Sequence, residues 1–159
     1  MPPDVSGLLS RLNQADKLLD DLYHHYAQRH GLSDSAFWIL YIAVTQDEES
    51  TQKDICQLWS YSKQTVNSAL KRLEEQGVLF LQPQVTNRKN KTVMFTEAGL
   101  RYARRVVEPL LQAEEAAFLH FSEEEQQQLL TLMQKRGDYL QAELSPFLQK
   151  TEQSEPKEN

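Results

Sequence analysis

The chain has 159 residues, 17 Lys/Arg against 23 Asp/Glu, one cysteine, five glycines and six prolines, for a net charge of −6. That composition fits one globular domain or one lobe with appended helices, and excludes a fibrous chain or a disulfide scaffold. No apolar run approaches the ~20 residues of a membrane span, and the N-terminus lacks the basic flank and apolar core of a signal peptide, so a cytoplasmic protein is expected.

Residues 1–4 read as frayed. From Val5 to about His30, apolar residues recur at Leu8, Leu9, Leu12, Ala15, Leu18, Leu19, Leu22, Tyr23, Tyr26 and Ala27, the spacing of a long amphipathic helix ended by Gly31. Its stripe is wide, which points to a buried interface. Ser33 or Asp34 caps a second helix over about 34–46, apolar almost all round and therefore central to a core. After the polar stretch Asp47 to Ser50, Thr51 and Asp54 form a capping-box variant at the start of a short helix. Ile55 and Leu58 are its candidate core contacts, and Ser60 and Tyr61 make a turn.

Ser62 to Gly77 reads as a helix with a start, a stop and two faces. Ser62 suits an N-cap, and Gly77 can take the left-handed conformation that closes a helix. Val66, Ala69, Leu70 and Leu73 form one apolar stripe. The other face carries Lys63, Gln64, Thr65, Asn67, Ser68, Lys71 and Arg72, with no carboxylate before Glu74. Cations, amides and hydroxyls are the groups that reach phosphates and base edges in a major groove. With the short helix and turn before it, this makes a helix-turn-helix pattern.

Two short strands follow, Val78 to Gln82, limited by Pro83, and Thr92 to Phe95. Between them lie Asn87, Arg88, Lys89, Asn90 and Lys91. A hairpin tip with three cations and no carboxylate is a candidate wing over phosphates or in a minor groove. Thr96 and Glu97 open another helix that runs to about His120, with Pro109 expected to kink it. Ser122 to Glu125 is a capping box for a last helix with Leu129, Leu130, Leu132, Met133, Tyr139, Leu140 and Leu144. Residues 150–159 are polar and expected to be disordered. The fold class is thus mainly α with a small β-hairpin.

Charge is unevenly placed. Residues 1–50 hold three Lys/Arg against eight Asp/Glu, residues 51–105 hold ten against four, and residues 106–159 hold four against eleven. A basic middle between acidic ends is the local footprint of a nucleic-acid-binding surface.

The order of elements, over about residues 5–148, resembles the MarR family of winged helix-turn-helix regulators. The resemblance is carried by Ile55-Cys-Gln-Leu-Trp-Ser-Tyr-Ser62, by the recognition helix Lys63 to Gly77, and by Asn87-Arg-Lys-Asn-Lys91 followed by Val93-x-Phe-Thr96-Glu-x-Gly99. Asn87 stands where the family usually has Asp, Ser60 where a turn glycine is frequent, Cys56 at a usual alanine and Trp59 at a leucine. The resemblance implies a homodimer. Residues 5–32 and 99–149 would form the dimerisation helices and residues 33–98 the DNA-binding domain. Ser62, Lys63, Gln64, Thr65, Asn67, Ser68 and Lys71 would address the major groove, with Gln64 and Asn67 as base readers. Arg88, Lys89 and Lys91 would address the minor groove and backbone. It implies a ligand-responsive regulator on near-palindromic double-stranded DNA; a repressor is the expected role, because a dimer covering a promoter blocks polymerase without needing an activation surface. A small aromatic or anionic effector would sit in a cleft lined by Tyr23, Tyr26, Trp38, Tyr41 and Trp59, although aromatics at helical spacing are more often core.

Other chemistry finds less support. Cys56 reads as a structural thiol. His24 and His25 are adjacent and project roughly 100° apart on a helix, so no metal site is expected. No phosphate-cradling Gly loop, metalloprotease motif or catalytic triad is present, so neither an enzyme nor a cofactor is expected. The alternative to a DNA-binding regulator is a winged-helix module that contacts protein partners.

Overall fold

The computed structural model describes residues 4–45, 51–59, 61–84 and 91–149, the side chains of Leu58, Trp59 and Gln149 excepted. The expectations for residues 1–3, 46–50, Ser60, Asn87, Arg88, Lys89, Asn90 and the tail 150–159 lie outside the described residues. The chain divides into two units, residues 1–111 and 112–159.

In the first unit the order is α1 (Val5–Arg29), α2 (Asp34–Thr45), α3 (Gln52–Trp59), α4 (Lys63–Glu75), β1 (Leu79–Pro83) and β2 (Lys91–Phe95), followed by most of α5 (Glu97–Phe118). Local chemistry explains each boundary. Asp4 is not frayed: its carboxylate accepts from the Gly7 N–H at 3.0 Å, capping α1. The α1 and α4 exits are the same device. Leu32 N–H reaches back to the Ala27 carbonyl and Gly31 to Gln28, while Val78 reaches Leu73 and Gly77 reaches Glu74. Both glycines sit at φ +70°, where a side chain would be strained, so these are the glycine-closed helix ends that satisfy otherwise orphaned carbonyls.

The core forms where α2 and α4 cross. Phe37, Ile39 and Leu40 of α2 are buried with Val66, Leu70 and Leu73 of α4, and Leu79, Val93, Ala103, Val106 and Val107 complete the cluster. All four apolar positions of the Ser62–Gly77 stripe are therefore in the core, and Ile55 joins them. The hairpin pairs Leu79 with Phe95 and Pro83 with Lys91 in antiparallel register, which brings Pro83 and Lys91 into strands that the residue pattern ends one residue short. Thr51 adds an isolated bridge to Thr92, tying the start of α3 to the hairpin. α5 runs unbroken through Pro109.

In the second unit α6 (Glu123–Gln149) is capped reciprocally. Ser122 donates its N–H and hydroxyl to Glu125 Oε2, and the Glu125 N–H returns to Ser122 Oγ at 3.3 Å. Helix α6 also holds Pro146, a helix breaker that the hydropathy pattern does not reveal. None of the described residues 112–149 is buried. Leu119 and Phe147 are each 71% exposed, and Phe118, Phe121, Leu129, Leu132, Met133, Leu140 and Leu144 are exposed as well. Along α1 the same holds for Leu8, Leu9, Leu18, Leu19 and Leu22. No helix among the described residues is long and apolar enough to cross a membrane.

Candidate nucleic-acid interface

The exposed face of α4 is built by its own start. Ser62 Oγ accepts from the Thr65 N–H at 3.1 Å and shares a 2.8 Å hydrogen bond with Thr65 Oγ1. That cap fixes the first turn, and burial of Val66, Ala69, Leu70 and Leu73 fixes the rotation of the helix. Lys63, Gln64, Thr65, Asn67, Ser68, Lys71 and Arg72 are then all exposed.

Local hydrogen bonding already engages some of these groups. Ser68 donates its hydroxyl to the Gln64 carbonyl at 3.0 Å, which leaves Ser68 Oγ as an acceptor only. Lys71 lies 3.8 Å from Glu75, an exposed pair that water and salt weaken. Asn67 Oδ1 accepts from Gln52 Nε2 of α3. The sequence pattern does not single out Gln52; the bond joins positions 15 apart on two helices.

The hairpin is attached to the same block. Gln84 Nε2 donates to Thr92 Oγ1 at 3.3 Å, and the Leu81 N–H donates to Glu74 Oε1 at 3.3 Å. Lys91 is exposed at the first position of β2. Arg88 and Lys89 lie outside the described residues. At the start of α3, the Thr51 hydroxyl and N–H donate to Asp54 Oδ2 at 2.6 and 2.8 Å, which holds the Asp54 carboxyl below the usual carboxylate range.

The aromatic residues divide. Tyr23, Trp38 and Tyr41 form a chain of ring contacts, 5.1 Å from Tyr23 to Trp38 and 5.1 Å from Trp38 to Tyr41. Tyr26 contacts Phe37 and His30, and donates its hydroxyl to the Val106 carbonyl at 2.8 Å, one turn before Pro109. Burial pushes the Tyr26 phenol up. The Trp59 side chain lies outside the described residues. An open pocket of ≈ 470 Å³ is lined by Lys17, Asp20, Asp21, Tyr23, His24, Asp34, Trp38 and Tyr61. Of the aromatics singled out from the sequence, Tyr23 and Trp38 line it, whereas Tyr26 and Tyr41 are engaged in the ring cluster.

The pocket wall is acidic and internally paired. Lys17 Nζ lies 2.6 Å from Asp21, an ion pair that raises the lysine and lowers the aspartate. His24 Nδ1 lies 2.9 and 3.0 Å from the two oxygens of Asp34. Burial, then Asp34 and Asp20, pushes the Tyr61 phenol up. Among the described residues no group of three or more His, Cys, Asp or Glu comes together as a metal site. Cys56 is half-buried against the core.

Comparison with known proteins agrees with this geometry. The model of the MarR family matches residues 30–89. A MarR family regulator from Neisseria meningitidis, NMB1585, is similar at a TM-score of 0.77 and 24% identity, over 87% of this chain and 97% of that one. AbsC, a MarR family transcriptional regulator from Streptomyces coelicolor, is similar at a TM-score of 0.75 and 16% identity, over 89% and 97%. MepR from Staphylococcus aureus, solved in a DNA complex, is similar at a TM-score of 0.67 and 19% identity, over 86% and 99%. Among curated proteins, no sequence matches.

Proposed function

We propose that the chain, whose residues 30–89 match the model of the MarR family and whose fold is that of solved MarR family regulators, is a sequence-specific DNA-binding transcriptional regulator that acts in the cytoplasm as a homodimer. One observation carries the reading. The α4 face opposite the four buried residues is exposed and presents Lys63, Gln64, Thr65, Asn67, Ser68 and Lys71 without a carboxylate before Glu74. Cations on such a face attract phosphates, and amides read base edges. Arg88, Lys89 and Lys91 extend the contact into the minor groove and along the backbone. The solved DNA complex of MepR supports the same use of this fold.

Dimerisation is supported by apolar surface. Water-exposed rows of leucine along α1, and of Leu, Met and Phe over residues 112–149, are the kind of apolar surface that a partner covers. A second copy that covered them would set two recognition helices on one near-palindromic site, with half-sites about one helical turn apart, ~34–36 Å. Such a dimer seated on a promoter blocks polymerase without an activation surface, so a repressor is the simpler role.

A small effector fits the pocket beside Tyr23 and Trp38. Asp20, Asp21 and Asp34 in its wall disfavour an anion, so the effector class is a cationic or neutral aromatic. Sedimentation of the protein with a bound duplex tests the assembly. Two chains per duplex, with an affinity that falls steeply with salt, is the expected result. One chain per duplex, or no complex at low salt, would contradict it.

A further inference from the structure

Gln52 is the first residue of α3, and two interactions hold that position. Thr51 is locked in the capping box with Asp54, and Thr51 also bridges to Thr92 of the hairpin. From there Gln52 Nε2 donates to Asn67 Oδ1 on the exposed face of α4. An asparagine amide carries an acceptor on one side and two donors on the other, and half a turn about its terminal torsion exchanges them. The order matters for reading bases, because adenine requires a donor at its N7 and an acceptor at its N6 amino group.

We propose that Gln52 is a positioning residue for sequence readout: it holds the Asn67 amide in one of its two orientations, with Oδ1 toward α3 and Nδ2 toward the DNA-facing side. This rests on the DNA-binding reading above. Asn67 then offers two donors outward, and Oδ1 keeps one lone pair for a second hydrogen bond. The base pair that Asn67 meets is therefore one that presents an acceptor, a purine N7, with adenine favoured because its amino group can use the remaining lone pair. Glutamine suits this role because it can donate to Asn67. A carboxylate in its place could only accept, and would turn the Asn67 amide over.

The test uses the full chain and a set of duplexes in which each base pair of the bound site is substituted in turn. Wild type, Gln52→Ala, Gln52→Glu and Asn67→Ala are compared at one salt concentration, with thermal melting as the control for folding. In the wild type, one symmetric pair of positions should show a penalty of roughly fivefold or more that Asn67→Ala removes. Gln52→Ala should reduce that penalty to about twofold or less and leave the other positions unchanged. Gln52→Glu should shift the preference at those positions toward a base that presents a donor, such as cytosine N4. If Gln52→Ala weakens binding evenly and keeps every positional penalty, or if Gln52→Glu keeps the wild-type preference, the positioning role is overturned while the DNA-binding reading stands. If the wild type discriminates at no position, both fall.

Discussion

Gly99, near the start of α5, lies flat against the carbonyl of Val78, the residue that follows the left-handed Gly77. A Cβ at position 99 would stand 1.7 Å from the Val78 oxygen and 2.6 Å from its carbonyl carbon. Thr96 binds at the same junction: its hydroxyl donates to the Gly77 carbonyl at 2.8 Å and accepts from the Gly99 N–H at 2.9 Å. One junction thus closes α4 and opens α5.

Gly99→Ala should destabilise the protein by roughly 2 kcal/mol or more, because the obstacle is backbone and cannot rotate away. Gly137→Ala is the control: nothing lies within 4 Å of a Cβ there, and alanine favours the helix. Denaturant midpoints of the two variants would check this, and equal midpoints would contradict it.

Acid should loosen the start of α3 through Asp54. Its carboxyl is held below the usual range by the Thr51 hydroxyl and N–H. The cap therefore contributes above the unfolded-state value, about pH 4, and is lost as pH falls through the lower folded-state value. Asp54→Asn should flatten this part of the acid limb of a stability-versus-pH curve. Parallel curves for wild type and variant would remove Asp54 from the acid response.

Arg88→Ala should weaken duplex binding and flatten its salt dependence, by roughly one unit of log–log slope for each phosphate the arginine neutralises. Anisotropy titrations at several salt concentrations read both quantities. Unchanged affinity and slope would take the wing out of the mechanism.

Gln64→Ala should relax sequence preference more than Lys71→Ala does. Gln64 offers an amide that can pair with a base edge, whereas Lys71 is a flexible cation that already shares Glu75. Selectivity profiles of the two variants over a duplex library decide it, and equal profiles would contradict the assignment.

Much of this arrangement can be read from the residues, because the signals are local. Ser62, Gly77 and the spacing of Val66, Ala69, Leu70 and Leu73 define a helix, its ends and its buried side within 16 residues. The capping boxes at Thr51 and Ser122 are equally local. The bond between Gln52 and Asn67 is not legible in the sequence, since it depends on how α3 crosses α4. Nor does the aromatic spacing show that the Tyr26 hydroxyl is committed to Val106, 80 residues away, or that Asp20, Asp21 and Asp34 share a pocket. Asp4 escapes notice because a cap at a chain end looks like any polar terminus.

Whether the α4 face and the wing read DNA as a dimer is decided by selection of bound duplexes from a random library, using the purified protein at near-physiological salt. A dimeric reader should recover a near-palindrome whose half-sites lie about one helical turn apart. No enriched sequence from folded, dimeric protein would contradict it, and would favour a winged-helix module that binds protein partners.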